Sequence, residues 1–213
     1  HRVDRRQRQM CIRDRYTNNS MGYYLTWSTS GLINEYVNDC DIISNYEHKK
    51  AQPLDGYETI MVDGDRYEAF NTSGGASSMC KTFAGKVRQL SYKTIRYPGH
   101  YDRMKFLLDD LNLKNNKQMF IDLFDQEVPY TTSDVIVIFA SVTGKKDGKL
   151  IERTYHKKIY GKKGLSAIQL STASGMCANI MLWAQNELTS GAMKQEDIPY
   201  DKWIETKFGR VYA

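Results

Sequence analysis

The sequence lacks the patterns that identify several classes of protein. No run of about 18 apolar residues occurs, so no membrane-spanning helix is predicted. The four cysteines, at positions 11, 40, 80 and 177, form neither a C-x-x-C pair nor a zinc-ligand spacing, and the histidines are equally scattered. We therefore expect no metal site, no membrane partner, and reduced thiols in a cytoplasmic protein.

The glycines do not form a dinucleotide-binding turn. G-x-G-x-x-G occurs nowhere in the chain, and the pairs Gly74-Gly75 and Gly161 with Gly164 lack its spacing. That turn places a pyrophosphate at the N-terminus of a helix. The chain is therefore predicted not to form a complete nucleotide-binding unit.

Positive charge is concentrated at the start of the chain. Residues 1–15 hold six arginines and two aspartates, a net charge of +4 out of the formal +5 of all 213 residues. They contain no apolar segment of the kind found in signal peptides, and we interpret residues 1–15 as a non-native tail. A nucleic-acid-binding arm at 5–8 is the less favoured alternative, because a body of almost no net charge argues against nucleic acid as a partner.

Apolar spacing and turn residues indicate an α+β fold. Leu32, Ile33 and Tyr36, after a candidate cap at Ser28 or Ser30, predict a short amphipathic helix. Asp63-Gly64-Asp65 between two β-prone runs predicts a hairpin. With helices and hairpins both present, we expect a mixed, largely antiparallel sheet with helices packed on it.

Three further segments are predicted from their residue patterns. Residues 87–97 alternate in polarity and predict one long strand, and 134–142 form an almost continuous apolar strand that suggests burial on both faces. A short strand is predicted at 166–170, followed by a helix at 172–188. The stretch 41–55 is polar and rich in turn residues.

Two loops carry the residues best suited to binding chemistry. Asn71–Gly75 and Lys93–His100 each read as a strand that ends in small or hydrogen-bonding groups. Arg96, at the end of its strand, suits the bidentate binding of a carboxylate, and the alternative is a surface salt bridge. His100 is a candidate for proton transfer because imidazole titrates near neutrality, and the alternative is a structural histidine.

The polar trio of the first loop has two interpretations. Asn71, Thr72 and Ser73, beside the flexible backbone of Gly74 and Gly75, would form a nest for a carboxylate or phosphate. In the other interpretation they cap the helix that follows.

These motifs resemble those of a known family. Together with Trp27-Ser28, Gly31–Tyr36 and Phe208–Tyr212, the two loops are similar to the C-terminal, substrate-binding part of the saccharopine dehydrogenase family, in order from about Tyr24 to Ala213. The resemblance implies a glyceraldehyde-3-phosphate-dehydrogenase-like C-terminal domain at 16–170. It also implies a helical segment at 171–213 that packs back on a nucleotide-binding (Rossmann) domain preceding this chain.

The resemblance also implies a function and a set of site residues. The function is that of an NAD(P)-dependent oxidoreductase acting on the C–N bond of an amino acid such as saccharopine, with NAD(P) bound mainly by the missing N-terminal domain. A small-molecule amino-acid substrate is the expected partner, and a homodimer is compatible. The substrate-binding candidates are Trp27, Ser28, Asn71, Thr72, Ser73, Gly74, Arg96, Tyr97 and His100, and the cofactor-binding candidates are Ser174 and Gly175.

Alternatives from other classes stay open at this point. Lysine 6-dehydrogenase and carboxynorspermidine synthase look similar through this region. A binding or dimerisation module without a redox role is the alternative outside the enzymes. The catalytic acid or base is expected upstream of this chain.

Overall fold

The structure, a computed structural model, describes residues 19–76 and 78–213. The interpretation of residues 1–15 as a non-native tail lies outside them. The chain divides into two units after Tyr130. The sequence instead predicted a boundary after residue 170, between the substrate-binding domain and a helical segment that packs on another domain. That boundary stays a prediction. Among the described residues, no helix combines the length and apolar character needed to cross a membrane.

The first unit consists of short helices and short antiparallel strands. Its helices are α1 (Thr29–Val37), α2 (Met79–Phe83), α3 (His100–Lys105) and α4 (Lys117–Glu127), with a π turn at Phe106–Asp110 and a 3-10 turn at Leu113–Asn115. Its strands are β1 (Cys40–Ser44), β2 (Glu47–Ala51), β3 (Glu58–Val62), β4 (Asp65–Asn71), β5 (Gln89–Leu90) and β6 (Lys93–Arg96). Within the described part of this unit, β2-β1-β5 form one sheet and β3-β4-β6 another.

Local sequence signals account for the elements that position the site. The Ser28 hydroxyl caps α1 by accepting the Gly31 N–H, and Leu32, Ile33 and Tyr36 are buried as predicted. Asp63 and Gly64 both have positive φ, which two-residue hairpin turns require, and the predicted hairpin is confirmed as β3–β4. The main core packs α1, α3 and α4 against Phe70 of β4.

Two predictions for this unit are wrong. Residues 87–97 do not form one strand, because β5 pairs with β1 while β6 pairs with β4, and Ser91-Tyr92 lies between them. Residues 41–55 are not mainly turn, since β1 and β2 pair through this stretch around Asn45 and Tyr46, which take positive φ.

The second unit is a long hairpin with one long helix and short helical turns. Its elements are β7 (Val135–Lys146), β8 (Lys149–Tyr160), α5 (Ala167–Ala184), α6 (Tyr200–Glu205) and 3-10 turns at Gln195–Asp197 and Gly209–Val211. The Asp134 carboxylate accepts the N–H groups of Ala167 and Ile168 at 2.5 and 2.9 Å, which ties the start of α5 to the start of β7.

Two predictions for the second unit are also wrong. Residues 166–170 are not a strand: Ser166 and Gln169 form a reciprocal capping box, and α5 begins at Ala167. The apolar run of β7 is not buried on both faces, because it is half-buried from Val135 to Ile138 and exposed from Phe139 onward. A two-stranded ribbon cannot cover both faces of its own strands.

The fold class is α+β, as predicted. Helices pack beside antiparallel sheets, and the described chain has three small sheets where the sequence suggested one larger mixed sheet.

Candidate functional site

Arg96 is the last residue of β6, at the strand end that the sequence predicts. Two hydrogen bonds to the protein hold its guanidinium. Its Nε donates a hydrogen bond to the Tyr36 hydroxyl at 2.9 Å, and its Nη1 donates to the backbone oxygen of Ile95 at 3.1 Å. Of the five N–H groups of a guanidinium, three make no hydrogen bond to any described residue.

Aromatic rings line the two sides of this guanidinium. Its central carbon lies 5.3 Å from the centre of the Tyr23 ring and 5.9 Å from that of Tyr36. Burial alone would lower the pKa of Arg96, but the Tyr36 and Tyr23 hydroxyls and Glu35 raise it, so the side chain stays charged. Arg96 forms no ion pair with a carboxylate of the described residues. The alternative interpretation of Arg96, a surface salt bridge, is therefore not supported among the described residues.

His100 contacts the same Tyr36 hydroxyl that Arg96 binds. Its Nε2 lies 3.0 Å from the Tyr36 hydroxyl and its Nδ1 lies 3.0 Å from the backbone oxygen of Met21. Because the carbonyl can only accept, Nδ1 carries the proton and Nε2 accepts from Tyr36. Burial and the charge of Arg96 lower the pKa of His100 to about 3. With 1% of its surface exposed, His100 is a neutral structural histidine, and the structure gives no support to proton transfer by it.

The loop Asn71–Gly75 is attached to the last turn of α1. The backbone N–H of Ser73 donates to the Glu35 carbonyl at 2.9 Å, and its hydroxyl donates to the Asn34 carbonyl at 3.1 Å. The next helix, α2, begins only at Met79. The interpretation that the polar trio caps the following helix is therefore wrong, because Ser73 bonds to the end of the preceding one.

The side chains of Asn71 and Thr72 are buried, and the Asn71 Oδ1 and Thr72 Oγ1 atoms make no hydrogen bond to a described residue. A cavity of about 80 Å³ adjoins Thr72 and is lined by Asp41, Thr72, Gly74 and Ala76. A carboxylate or phosphate needs donors, whereas Asn71 Oδ1 can only accept and the backbone N–H groups of Asn71 and Ser73 already donate to carbonyls. The nest interpretation of this loop therefore gains no support from these contacts and stays a prediction. Gly74 has a φ of 91°, which a glycine adopts without strain.

Gly75 packs against the ring of Tyr92, which directly precedes β6. A Cβ atom at Gly75 would overlap the Tyr92 ring, so glycine permits this contact. Burial raises the pKa of Tyr92, and the charge of Glu35 raises it further, while Arg96 lowers it. Asn71 also pairs with Lys93 in the β4–β6 register, so the two predicted loops start side by side.

The remaining substrate-binding candidates have structural contacts. The Ser28 hydroxyl is used to cap α1. The indole of Trp27 lies over Gly31, where a Cβ would come within 2.6 Å of it, and 36% of the Trp27 surface is exposed. The Tyr97 ring stacks on Tyr67 with a centre-to-centre distance of 5.5 Å. Trp27 and Ser28 are both exposed, and Tyr97 is half-buried.

The chain matches the family model for the saccharopine dehydrogenase C-terminal domain over residues 11–208. It belongs to the saccharopine dehydrogenase C-terminal domain family. The family resemblance inferred from the motifs is thereby confirmed.

A solved structure has the same fold as this member of the saccharopine dehydrogenase C-terminal domain family. An apo histidine-tagged saccharopine dehydrogenase (L-Glu forming) from Saccharomyces cerevisiae matches with a TM-score of 0.64 and 12% sequence identity. The match covers 89% of this chain and 60% of that chain. At this identity the likeness shows the fold, and our chain spans about three fifths of the matched protein.

One residue that the sequence reasoning missed holds the site loop of this saccharopine dehydrogenase C-terminal domain in place. The Glu68 carboxylate is buried and accepts the backbone N–H groups of Gly99 at 2.7 Å and Tyr101 at 3.0 Å. Glu68 lies opposite Arg96 in the β4–β6 pair. A carboxylate between Tyr67 and Ala69 in an otherwise apolar stretch was the available signal, because a buried charge requires partners.

The cofactor-binding candidates of the domain lie elsewhere than predicted. Ser174 and Gly175 are in the interior of α5, not at a helix N-terminus. The expectation that these small residues stand at a helix N-terminus, where a ligand or another domain could approach, is therefore wrong, and cofactor contact stays a prediction. A Cβ at Gly175 would lie 3.4 Å from the Tyr212 hydroxyl, which donates to the Ser171 carbonyl. That distance is an ordinary van der Waals contact, so the packing of Tyr212 does not require glycine at 175.

Metal binding finds no support in the described residues. No group of three or more histidine, cysteine, aspartate or glutamate side chains among them is placed to hold an ion.

Proposed function

We propose that this chain is the substrate-binding part of an NAD(P)-dependent oxidoreductase that acts on the C–N bond of an amino acid, of the saccharopine dehydrogenase type. Family membership supports an oxidoreductase at the level of the family. The single observation that carries the role of this chain is the Arg96 guanidinium. It is charged, held by Tyr36 and Ile95, and has three N–H groups without a described protein partner.

The chemistry of Arg96 suits a carboxylate of the substrate. A planar guanidinium with adjacent free N–H groups can bind both oxygens of a carboxylate. Fixing the side chain before the ligand arrives lowers the conformational entropy lost on binding. Here Tyr36 fixes Nε, and His100 fixes the Tyr36 hydroxyl in turn. The role of this chain is therefore to bind and orient the substrate. The Asn71–Gly75 loop would form one wall of the substrate site.

The described residues do not fit a nicotinamide dinucleotide. Gly74 and Gly75 lead to α2, a helix of five residues, and Ser174-Gly175 lies within α5. Neither arrangement offers a run of free backbone N–H groups at the start of a long helix. We propose that NAD(P) is bound by another part of the protein, and that hydride transfer takes place there.

One face of α5 is suited to contact that other part. Met176, Ile180 and Trp183 follow one another at helical spacing and are 64%, 53% and 70% exposed. Large apolar groups exposed in a row are typical of interaction surfaces. We propose that this face packs against the nucleotide-binding part. The free thiols Cys40, Cys80 and Cys177 of the described chain are compatible with a cytoplasmic location.

The experiment that tests the carboxylate site is a binding titration. Glutarate, a dicarboxylate without an amino group, is added to the chain while NMR follows the Arg96 Nε–H signal. Arg96→Lys keeps the charge but loses the paired N–H groups, so we expect binding to weaken by about tenfold or more, the effect of one charge-assisted hydrogen bond. Arg88→Lys, at an exposed position, is the matched control. Equal glutarate affinity in wild type and Arg96→Lys contradicts the proposal.

The coding sequence upstream of this chain provides an independent test. A strand, Gly-rich turn and long helix there support the oxidoreductase. An unrelated domain contradicts it and favours a binding module without redox chemistry.

A further inference from the structure

The hydroxyl of Tyr23 is a polar group of the site that the carboxylate proposal does not use. It is buried and makes no hydrogen bond to a described residue. A buried O–H group without a partner costs free energy, and a phenylalanine would fill the same space without that cost. Buried polar atoms are normally satisfied, so this hydroxyl calls for a partner that the described chain does not supply.

The ring that carries this hydroxyl lies next to the Arg96 guanidinium. The centre of the Tyr23 ring is 5.3 Å from the central carbon of Arg96, and the ring meets His100 edge-on at a centre-to-centre distance of 5.4 Å. Tyr23 and Arg96 are both half-buried as whole residues. Because the hydroxyl is attached to this ring, one acceptor atom can lie within hydrogen-bond distance of both Tyr23 and Arg96.

The side chains that contact the Tyr23 ring cannot accept its proton. A guanidinium has donors only, so Arg96 offers no acceptor. Both ring nitrogens of His100 are occupied, because Nδ1 donates to the Met21 carbonyl and Nε2 accepts from Tyr36. The partner that the Tyr23 hydroxyl lacks is therefore an acceptor.

The Tyr23 hydroxyl is protonated at neutral pH and available as a donor. Burial raises its pKa to about 12, although the charge of Arg96 and the indole N–H of Trp27 lower it. The Trp27 N–H approaches the Tyr23 oxygen without completing a hydrogen bond, and as a donor it could not take the Tyr23 proton. Glu35 affects Tyr23 through its charge and makes no hydrogen bond to it. The place beside Arg96 thus combines donors from several residues, as an anionic oxygen requires.

We propose that the Tyr23 hydroxyl donates a hydrogen bond to an oxygen of the carboxylate that Arg96 binds. This inference rests on the proposed function of Arg96 and adds a second binding residue to that site. Each carboxylate oxygen can accept two donors, so the Tyr23 bond does not compete with the paired N–H groups of Arg96. Contacts from two separate segments of the chain fix the plane of the carboxylate as well as its place, so Tyr23 orients the substrate.

The test uses Tyr23→Phe, which keeps the ring beside Arg96 and removes only the hydroxyl. Glutarate is titrated into wild type and variant, and the affinities are measured by NMR. We expect Tyr23→Phe to bind glutarate about tenfold more weakly, the effect of one hydrogen bond to a charged acceptor. The urea midpoint of the ligand-free variant should stay at or above that of wild type, because no hydrogen bond within the chain is lost. Tyr46→Phe, at a 52% exposed position, should keep both wild-type values.

A second measurement, in wild type, does not depend on how the variant folds. The NMR signal of the Tyr23 Cζ atom, which bears the hydroxyl, should shift when glutarate is added, and that of Tyr46 should not. An unshifted Tyr23 signal with glutarate bound, wild-type affinity in Tyr23→Phe, or a urea midpoint that falls as far as in Tyr36→Phe overturns this inference alone. Equal glutarate affinity in wild type and Arg96→Lys, or a wild-type chain that binds no glutarate, overturns the proposed carboxylate site and the inference with it.

Discussion

The Glu68 carboxylate accepts the backbone N–H of Gly99 at 2.7 Å, so a buried residue of β4 fixes the turn that follows Arg96. Gly99 has a φ of 91°, and the same carboxylate also accepts the Tyr101 N–H at 3.0 Å. The turn is thereby tied to the strand opposite Arg96, and the direction in which the chain leaves β6 is set by this contact.

Removal of the Glu68 carboxylate should destabilise the first unit. Glu68→Ala leaves two backbone N–H groups without their acceptor in a buried place, so we expect the free energy of unfolding to fall by about 3 kcal/mol. Glu58→Ala is the control, because Glu58 is half exposed and its ion pair with Lys93 lies at the surface; we expect a loss below about 1 kcal/mol. Urea denaturation measures both. Similar losses in the two variants would show that the Gly99 turn does not depend on Glu68.

His100 should make stability depend on pH. Its folded pKa of about 3 is below the ordinary value of 6.5, so the unfolded chain binds a proton before the folded chain does. The stabilisation from neutral His100 is complete above pH 6.5 and is lost as the pH falls toward 3. The expected slope is about 1.4 kcal/mol per pH unit from this group.

Urea denaturation of wild type and His100→Gln across this pH range measures that slope. Glutamine cannot be protonated, so the variant should lose the His100 part of the slope although it is less stable at neutral pH. His48→Gln is the control, because His48 is not buried and pairs with Asp41. An identical pH dependence in wild type and His100→Gln would mean that the pKa of His100 is the same in the folded and the unfolded chain, contrary to the value of about 3.

The sequence predicted those parts of the site that depend on local signals. Ser28 and the apolar spacing of α1 placed that helix, and the strand before Pro98-Gly99 placed Arg96 at a strand end. A cap and a turn act within a few residues, so a single sequence reveals them.

The contacts that hold Arg96 depend on distant parts of the chain and were not predicted. Tyr36 was recognised as a core residue, but its hydroxyl meets Arg96 across 60 positions and His100 across 64. Helical spacing shows which face of α1 is buried and does not show which polar group the buried ring reaches. The split of residues 87–97 has the same cause, because alternation does not say which sheet a strand joins.

NADH or NADPH should bind this chain no more tightly than the millimolar range. Gly74-Gly75 leads to a helix of only five residues. Gly161 and Gly164 lead to α5, but the first N–H groups of that helix already donate to Asp134 and Ser166, so a pyrophosphate finds no free donors there. Calorimetry with each nucleotide measures the affinity, and AMP serves as the control for weak adenine stacking. A micromolar dissociation constant would contradict the assignment of the cofactor to another part of the protein.

Tyr36→Phe should weaken carboxylate binding although it removes no charge. The variant keeps the ring and loses the hydroxyl that accepts the Arg96 Nε proton at 2.9 Å and donates to His100 Nε2 at 3.0 Å. We expect the free energy of unfolding to fall by about 1 to 3 kcal/mol, because His100 Nε2 is left buried without its donor. Glutarate affinity should fall by about fivefold, since the guanidinium is no longer fixed in advance.

A purely structural role for Tyr36 would change stability and leave Arg96 untouched, so a second measurement is needed. The Arg96 Nε–H should exchange faster with solvent in Tyr36→Phe, because its acceptor is gone. Tyr46→Phe, at a 52% exposed position, should change neither exchange nor affinity, and stability by no more than about 0.5 kcal/mol. If Tyr36→Phe leaves Nε exchange and glutarate affinity at the wild-type values, Tyr36 does not position Arg96.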